Sequence, residues 1–256
     1  MQISDEGRRK QGRGTGDKET WKAWNLASDF PGKGRKMKAS SHMFPPRHLQ
    51  GQSKTEDDLL YMIEIADNIE DFKEQFNLPL EETKEIAAKL GIKHPISPDK
   101  RSEVMTLDCV IFYKTGKPKA IDVKYLQENL WESKKLKRDL EKLQIKKVWS
   151  EKNGFEWLLF THLNVPKILI TNVKILRESF KYKDEKIENY KEQYSKIDNS
   201  FTGSIGEVNE QISKAMKIAS SRGWKIINHL CAHKIIRFNL NIPFNKKTTF
   251  SRFHLA

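Results

Sequence analysis

Asp108 stands inside an apolar, β-branched run, VMTLDCVIFY at 104–113, and Asp122 and Lys124 stand two apart in KAIDVKY at 119–125. A carboxylate in an apolar strand is costly to bury unless it is paired or holds a cation. Residues two apart on a strand share a face, so Asp122 and Lys124 point one way while Ile121, Val123 and Tyr125 point the other. An Asp…Asp-x-Lys set offers hard oxygen ligands for Mg²⁺ or Mn²⁺, one or two ions. Such an ion lowers the pKa of bound water and neutralises charge on a phosphate. The lysine can orient the attacking water and oppose charge in the transition state. The chemistry is that of a metal-dependent nuclease; the competing reading is a cross-strand salt bridge of Asp108, Asp122 and Lys124.

The turn between the two runs, KTGKP, decides whether the carboxylates meet. A three-residue loop, Lys114-Thr115-Gly116, with Gly116 in the left-handed conformation, sets Tyr113 opposite Lys117 and Asp108 opposite Asp122. A two-residue loop, Thr115-Gly116, sets Asp108 opposite Val123 and spoils the site. The nuclease chemistry therefore requires the odd loop, because two carboxylates face to face repel without a cation between them.

Glu56 is a third candidate ligand. It lies at the start of an expected helix, three residues after Ser53, which is the capping-box spacing. It shares a face with Leu60 and Ile63, so it can point inward. The alternative is an ordinary acidic residue at the positive end of a helix. His94 before Pro95 reads as structural, as does the His229/His233 pair, which has no Cys or carboxylate near it to suggest zinc. The glycines of GRGTG at 12–16 follow no strand, so they are no dinucleotide fingerprint. Cys109 reads as core.

These residues need elements to hold them. The pattern predicts a helix from Thr55 with Leu59, Leu60, Ile63 and Ala66 on its apolar face, strand-like spacing of Phe72, Phe76 and Leu78, and a short helix over 81–90 ended by Gly91. Strands at 104–113 and 119–125 follow, then a long charged helix over 127–151 carrying Leu130, Leu136, Leu140 and Leu143. FEWLLFT at 155–161 makes a third strand. Strand, long helix and strand imply a parallel right-handed crossover, hence a mixed sheet of the α/β class. Pro166 marks a boundary, giving domains of 1–165 and 166–256. The second shows helices at 172–197 and 205–221, a short segment through Cys231 and strand-like alternation at 234–242, an order that suits a winged helix among other helical domains.

The chain of 256 residues carries a formal net charge of +13, and residues 1–54 hold 12 Lys/Arg against 5 Asp/Glu. A basic N-terminal arm suits a polyanion, most simply nucleic acid, with Trp21 and Trp24 as anchors or stacking platforms. No run approaches the ~18–20 apolar residues that span a bilayer, so no membrane partner is expected. The N-terminus lacks a secretory signal, and two cysteines give neither a disulfide framework nor a zinc site, which fits a reducing cytoplasm.

Taken together, GRGTGDKETWKAW (12–24), TEDDLL (55–60), IEDFKEQFNLPL (69–80), GIKHP (91–95), VMTLDCVI (104–111), AIDVK (120–124), FEWLLFT (155–161) and IIRFNLNI (235–242) resemble the TnsA family, endonuclease subunits of heteromeric transposases. The resemblance implies a restriction-endonuclease-like core with a C-terminal winged-helix domain. It places Glu56, Asp108, Asp122 and Lys124 on the family's catalytic positions, with Glu56, Asp108 and Asp122 as metal ligands. Asp122 departs from the family pattern, which has Gln or Glu there, one methylene longer. The implied role is cutting the 5′ strands of bacterial transposon ends. An RNase H-like transposase subunit handles the 3′ ends, and an AAA+ ATPase regulator docks on the C-terminal domain. Competing readings are a free-standing restriction or repair nuclease and a non-catalytic DNA-binding scaffold.

Overall fold

The computed structural model describes residues 3–29, 36–97, 100–126, 134–198 and 200–256. The chain divides into two compact units, Met1–Asn164 and Val165–Ala256. Unit 1 runs α1 (Asp5–Lys10), β1 (Met37–Ser40), β2 (His48–Gly51), α2 (Lys54–Ile65), β3 (Ile69–Asn77), α3 (Leu80–Lys89), β4 (Thr106–Tyr113), β5 (Lys119–Lys124), α4 (Lys134–Lys152) and β6 (Glu156–Thr161). Residues 127–133, with Leu130 and the expected first turns of the long helix, lie outside the described residues.

The main sheet has the order β3-β4-β5-β6. β3 and β5 pair antiparallel with β4, and β5 pairs parallel with β6 through the α4 crossover. The fold is thus α/β around a mixed sheet, as the strand-helix-strand pattern predicts. Cys109 pairs with Ile121, Val110 with Ala120 and Ile111 with Lys119. That register puts Asp108 and Asp122 in the next row, as the odd loop requires. Gly116 takes φ +104°, a conformation that favours glycine in the turn.

One sheet face is closed by α3 and α4. Val110 and Ala120 from the strands meet Ile86 and Ala87 of α3 and Ile145 and Trp149 of α4. Ile145 is fully buried, a stabilisation of about 1.5–3 kcal/mol for one such side chain. α2 buries Leu59, Leu60 and Ile63. Its start is fixed by Ser53, whose Oγ accepts from the Glu56 N–H at 3.2 Å.

The basic N-terminal arm is folded onto the sheet. Trp21 and Trp24 are buried, and the Trp21 indole donates to the Glu74 carbonyl at 3.1 Å. Arg13 is paired with Asp29 and Arg47 with Glu74, all with buried side chains. The anchoring use of the tryptophans is the one observed. Much of the arm's charge neutralises the protein's own carboxylates.

Unit 2 contains α5 (Lys167–Ser179), α6 (Ile187–Ser195), α7 (Ile205–Ala215), α8 (Ser220–Ala232), β7 (Ile236–Phe238) and β8 (Phe253–Leu255). The single helix expected over 172–197 is two, and the segment after Gly223 belongs to a full helix that buries Ile226, Ile227 and Leu230. Gly223 permits this packing: a Cβ there would lie 2.3 Å from both Asn209 Oδ1 and Ser213 Oγ of α7. The strand-like alternation at 234–242 yields three strand residues, paired with β8 at the end of the chain.

Candidate active site

The site sits where α2, β4 and β5 approach one another. Glu56 is held by its own helix end: its Oε1 accepts from Ser53 Oγ at 2.9 Å and its Oε2 from the Gln52 N–H at 3.0 Å. Gln75 Nε2 adds a longer bond to Oε2 at 3.3 Å. Both readings of Glu56 are therefore realised, since it caps α2 and also feels Asp108 electrostatically. Burial, and then the Asp108 charge, push its carboxyl up to about 7.

Asp108 Oδ2 accepts from the backbone N–H of Val123 at 2.6 Å, so β5 fixes the carboxylate of β4. Burial raises the Asp108 carboxyl above its ordinary range, and the neighbouring Asp122 charge adds to the rise. Lys146, the Val123 N–H and Lys124 pull the other way. Lys124 is half-buried at the end of β5, opposite Thr161 of β6.

Asp122 is placed differently from the expectation. It is fully buried, and both its oxygens are taken. Oδ1 accepts from Lys146 Nζ of α4 at 2.5 Å, and Oδ2 accepts from the Trp157 indole of β6 at 2.8 Å. Among the described residues no three His, Cys, Asp or Glu side chains converge as a set able to hold a metal ion. The three-carboxylate cage expected from Glu56, Asp108 and Asp122 is not formed, because the Asp122 carboxylate is satisfied by an ammonium and an indole. Two coupled carboxylates remain. They fit a small divalent cation, which commonly takes one or two carboxylates and completes its shell with water and substrate phosphate.

Two residues of the site were not singled out from the sequence. Gln75 stands mid-strand with φ +48°, and the ladder skips it between Glu74–Cys109 and Phe76–Leu107. Its side chain reaches Glu56, and its Oε1 accepts from Asn25 Nδ2 at 3.1 Å. A polar residue in the β3 pattern was the sole sequence signal. Lys146 is one of many lysines in a charged helix, and nothing in its spacing separates it from the rest.

The other candidates are structural. His94 is hydrogen-bonded at both ring nitrogens, to the Pro95 carbonyl and to Thr83 Oγ1, each at 3.0 Å. His229 and His233 bond to the Ser179 and Phe180 carbonyls at the end of α5. Burial drives the Cys109 thiol far above its ordinary range, which leaves it inert as a nucleophile.

Residues 66–162 match a family model described as the TnsA-like endonuclease N terminal. The chain is also 25% identical, over 238 residues, to the Transposon Tn7 transposition protein TnsA of Escherichia coli. The match covers 91% of this chain and 76% of that protein. The chain belongs to the TnsA family. The TnsA-like segment contains Gln75, Asp108, Asp122, Lys124, Lys146 and Trp157, while Glu56 precedes it on α2. No described helix of this TnsA-family chain is long and apolar enough to cross a membrane.

Proposed function

We propose that the chain is a metal-dependent DNA endonuclease and the cutting subunit of a heteromeric transposase, acting in the bacterial cytoplasm on the 5′, non-transferred strands at transposon ends. The observation that carries the reading is the electrostatic coupling of Glu56 on α2 to Asp108 on β4, with the charge of Lys124 reaching the same carboxylate. The TnsA-like endonuclease segment and the similarity to a transposition protein favour a transposase subunit over a free-standing restriction or repair nuclease. A non-catalytic scaffold would close its buried carboxylates with direct ion pairs. Here the direct ion pair goes to Asp122.

Glu56 and Asp108 would hold Mg²⁺ or Mn²⁺, which supplies an activated water and counter-charge for the phosphate. The Val123 N–H and the Ser53–Gln52 cap keep the two carboxylates from rotating away. Lys124, on a strand end, opposes the negative charge that builds on the phosphate. The helices followed by a β-pair in unit 2 suit a winged helix and a docking role for an AAA+ ATPase regulator. An RNase H-like transposase subunit would process the 3′ ends. Basic residues of the N-terminal region not used internally, such as Lys22 and Lys38 on the wall of a 490 Å³ cleft, are available to DNA phosphates.

The test is strand-resolved cutting of end-labelled transposon DNA by the reconstituted transposase, with Mg²⁺ and with chelator. The expected result is ion-dependent cleavage of the 5′ strand only when this chain is present. Full-rate cutting by the chain alone would favour the free-standing nuclease. Unchanged 5′ cleavage without the chain would refute the reading.

A further inference from the structure

Asp122 has the most constrained carboxylate of the site. It is fully exclude from solvent, and its two oxygens are held from two different elements, by Lys146 of α4 and by Trp157 of β6. Lys146 is itself half-buried, yet its ammonium does not end in solvent. Its charge reaches Asp108 and Glu56 as well as Asp122. A carboxylate whose lone pairs already serve an ammonium and an indole must give up both to enter a metal shell, and that would strand a buried indole N–H and a buried ammonium.

The charge count points the same way. Lys146 cancels Asp122, so the free charge of the site is the pair Glu56 and Asp108. A divalent cation would balance that pair and leave Lys124 as net positive charge for an incoming phosphate. With Asp122 as a third ligand and Lys146 displaced, the same site would carry one more negative charge against a polyanionic substrate.

We propose that Asp122 is a positioning residue rather than a metal ligand, and that it holds Lys146 beside Glu56 and Asp108 as a second lysine of the site. The inference rests on the nuclease reading above and specifies its ligand set. Asp122 belongs with α4 and β6, the crossover helix and its return strand, and the metal belongs with α2 and β4. Lys146 enters the site across the sheet face, from the opposite side of Asp122 to the β4–β5 turn.

The experiment compares Asp108→Asn, Asp122→Asn, Lys146→Met, Lys146→Arg and the double variant Asp122→Asn/Lys146→Met in the full chain. The double variant removes both buried charges together, so it is the one designed to remain folded if either single variant does not. Mn²⁺ binding is read by electron paramagnetic resonance on the chain. Cutting is read in the reconstituted transposase on transposon-end DNA. The expected outcome is Mn²⁺ affinity within about threefold of wild type for the double variant, against a loss of about a hundredfold for Asp108→Asn. The double variant should cut at least tenfold more slowly, in kcat more than in KM, and Lys146→Arg should retain most of the rate that Lys146→Met loses. These magnitudes are order-of-magnitude expectations for losing a ligand and for losing a positioned charge. Loss of Mn²⁺ binding by the double variant equal to that of Asp108→Asn would make Asp122 a ligand and overturn the proposal. Wild-type cutting by the folded double variant would reduce the pair to helix docking and overturn it too. Tighter Mn²⁺ binding by Lys146→Met with cutting retained would mean that Lys146 merely stands in a ligand's place. A wild-type chain that neither binds Mn²⁺ nor cuts would bring down the nuclease reading itself, which the wild-type control separates from the other outcomes.

Discussion

The backbone N–H of Val123 donates to Asp108 Oδ2 at 2.6 Å, so the carboxylate at the centre of the proposed site is fixed by the strand beside it. An asparagine at 108 keeps a carbonyl oxygen for that N–H while removing the charge. Asp108→Asn should therefore fold, with a thermal midpoint at or above that of wild type, because it also relieves a buried carboxylate of its neighbours' repulsion. A fall of many degrees would mean that the Asp108 charge is a structural requirement of the sheet.

Glu56 gives the metal-free protein a pH dependence whose sign can be worked out. Its carboxyl ordinarily titrates at 4.5, and burial together with the Asp108 charge lifts it to about 7 in the folded chain. The folded state then binds this proton more tightly than the unfolded state, so its contribution to stability is present below about 4.5 and is lost as pH rises through about 7. Denaturant titrations from pH 4.5 to 8 should show this decline in wild type and its absence in Glu56→Gln. With Mn²⁺ present the slope should reverse, since the ion binds the ionised carboxylate. A wild-type decline that persists unchanged in Glu56→Gln would contradict the assignment.

Arg47 joins the N-terminal region to the sheet. Its side chain and that of Glu74 are both 1% exposed, and its guanidinium lies 4.6 Å from the Phe72 ring centre. Arg47→Ala should cost about 3–5 kcal/mol by leaving the Glu74 charge buried without its partner. Arg47→Met/Glu74→Leu should recover most of that loss. Urea unfolding of both variants checks the pair; an Arg47→Ala loss under 1 kcal/mol would show that the pair contributes little.

Gln75 holds a left-handed backbone in the middle of β3. Such a conformation costs a non-glycine residue roughly 1–2 kcal/mol. Gln75→Gly should accordingly be more stable than Gln75→Ala by about 1 kcal/mol, reversing the usual preference at strand positions. Equal stabilities would mean that the backbone relaxes once the Gln75 side chain no longer reaches Glu56.

The hairpin that aligns Asp108 with Asp122 was legible because local chemistry fixes it: Gly116 sets the turn, and the alternation of Ile121 and Val123 with Asp122 and Lys124 sets the faces. The start of α2 was legible for the same reason, since Ser53 and Glu56 satisfy each other within one turn. The partners of Asp122 were not. Lys146 and Trp157 meet it only when α4 and β6 fold back on β5, and side-chain spacing within α4 carries no signal of which lysine faces inward. The break between α5 and α6 escaped for a related reason. The residues between Ser179 and Ile187 are polar and helix-compatible, and the turn there is held by Asp184 accepting from Arg222 of α8 at 2.7 Å, a long-range contact. The folding of the basic arm onto the sheet likewise depends on carboxylates far away in sequence, such as Glu74 for Arg47.

Lys124 separates chemistry from binding. Lys124→Ala should leave Mn²⁺ affinity nearly unchanged, because the carboxylates hold the ion, and slow hydrolysis by about 10²–10³. Loss of Mn²⁺ binding together with loss of the folded state would make Lys124 a structural partner of Asp108.

The account stands most directly on one measurement, the ratio of simple insertions to cointegrates produced by the transposase with wild-type chain and with Asp108→Asn. If Glu56 and Asp108 form the site that cuts the 5′ strands, the variant complex assembles and the 3′ ends are still joined. The uncut 5′ strands then leave branched products that replication resolves as cointegrates, so the ratio should shift from simple insertions to cointegrates. Simple insertion by folded Asp108→Asn at the wild-type level would contradict the claim that this carboxylate belongs to the nuclease.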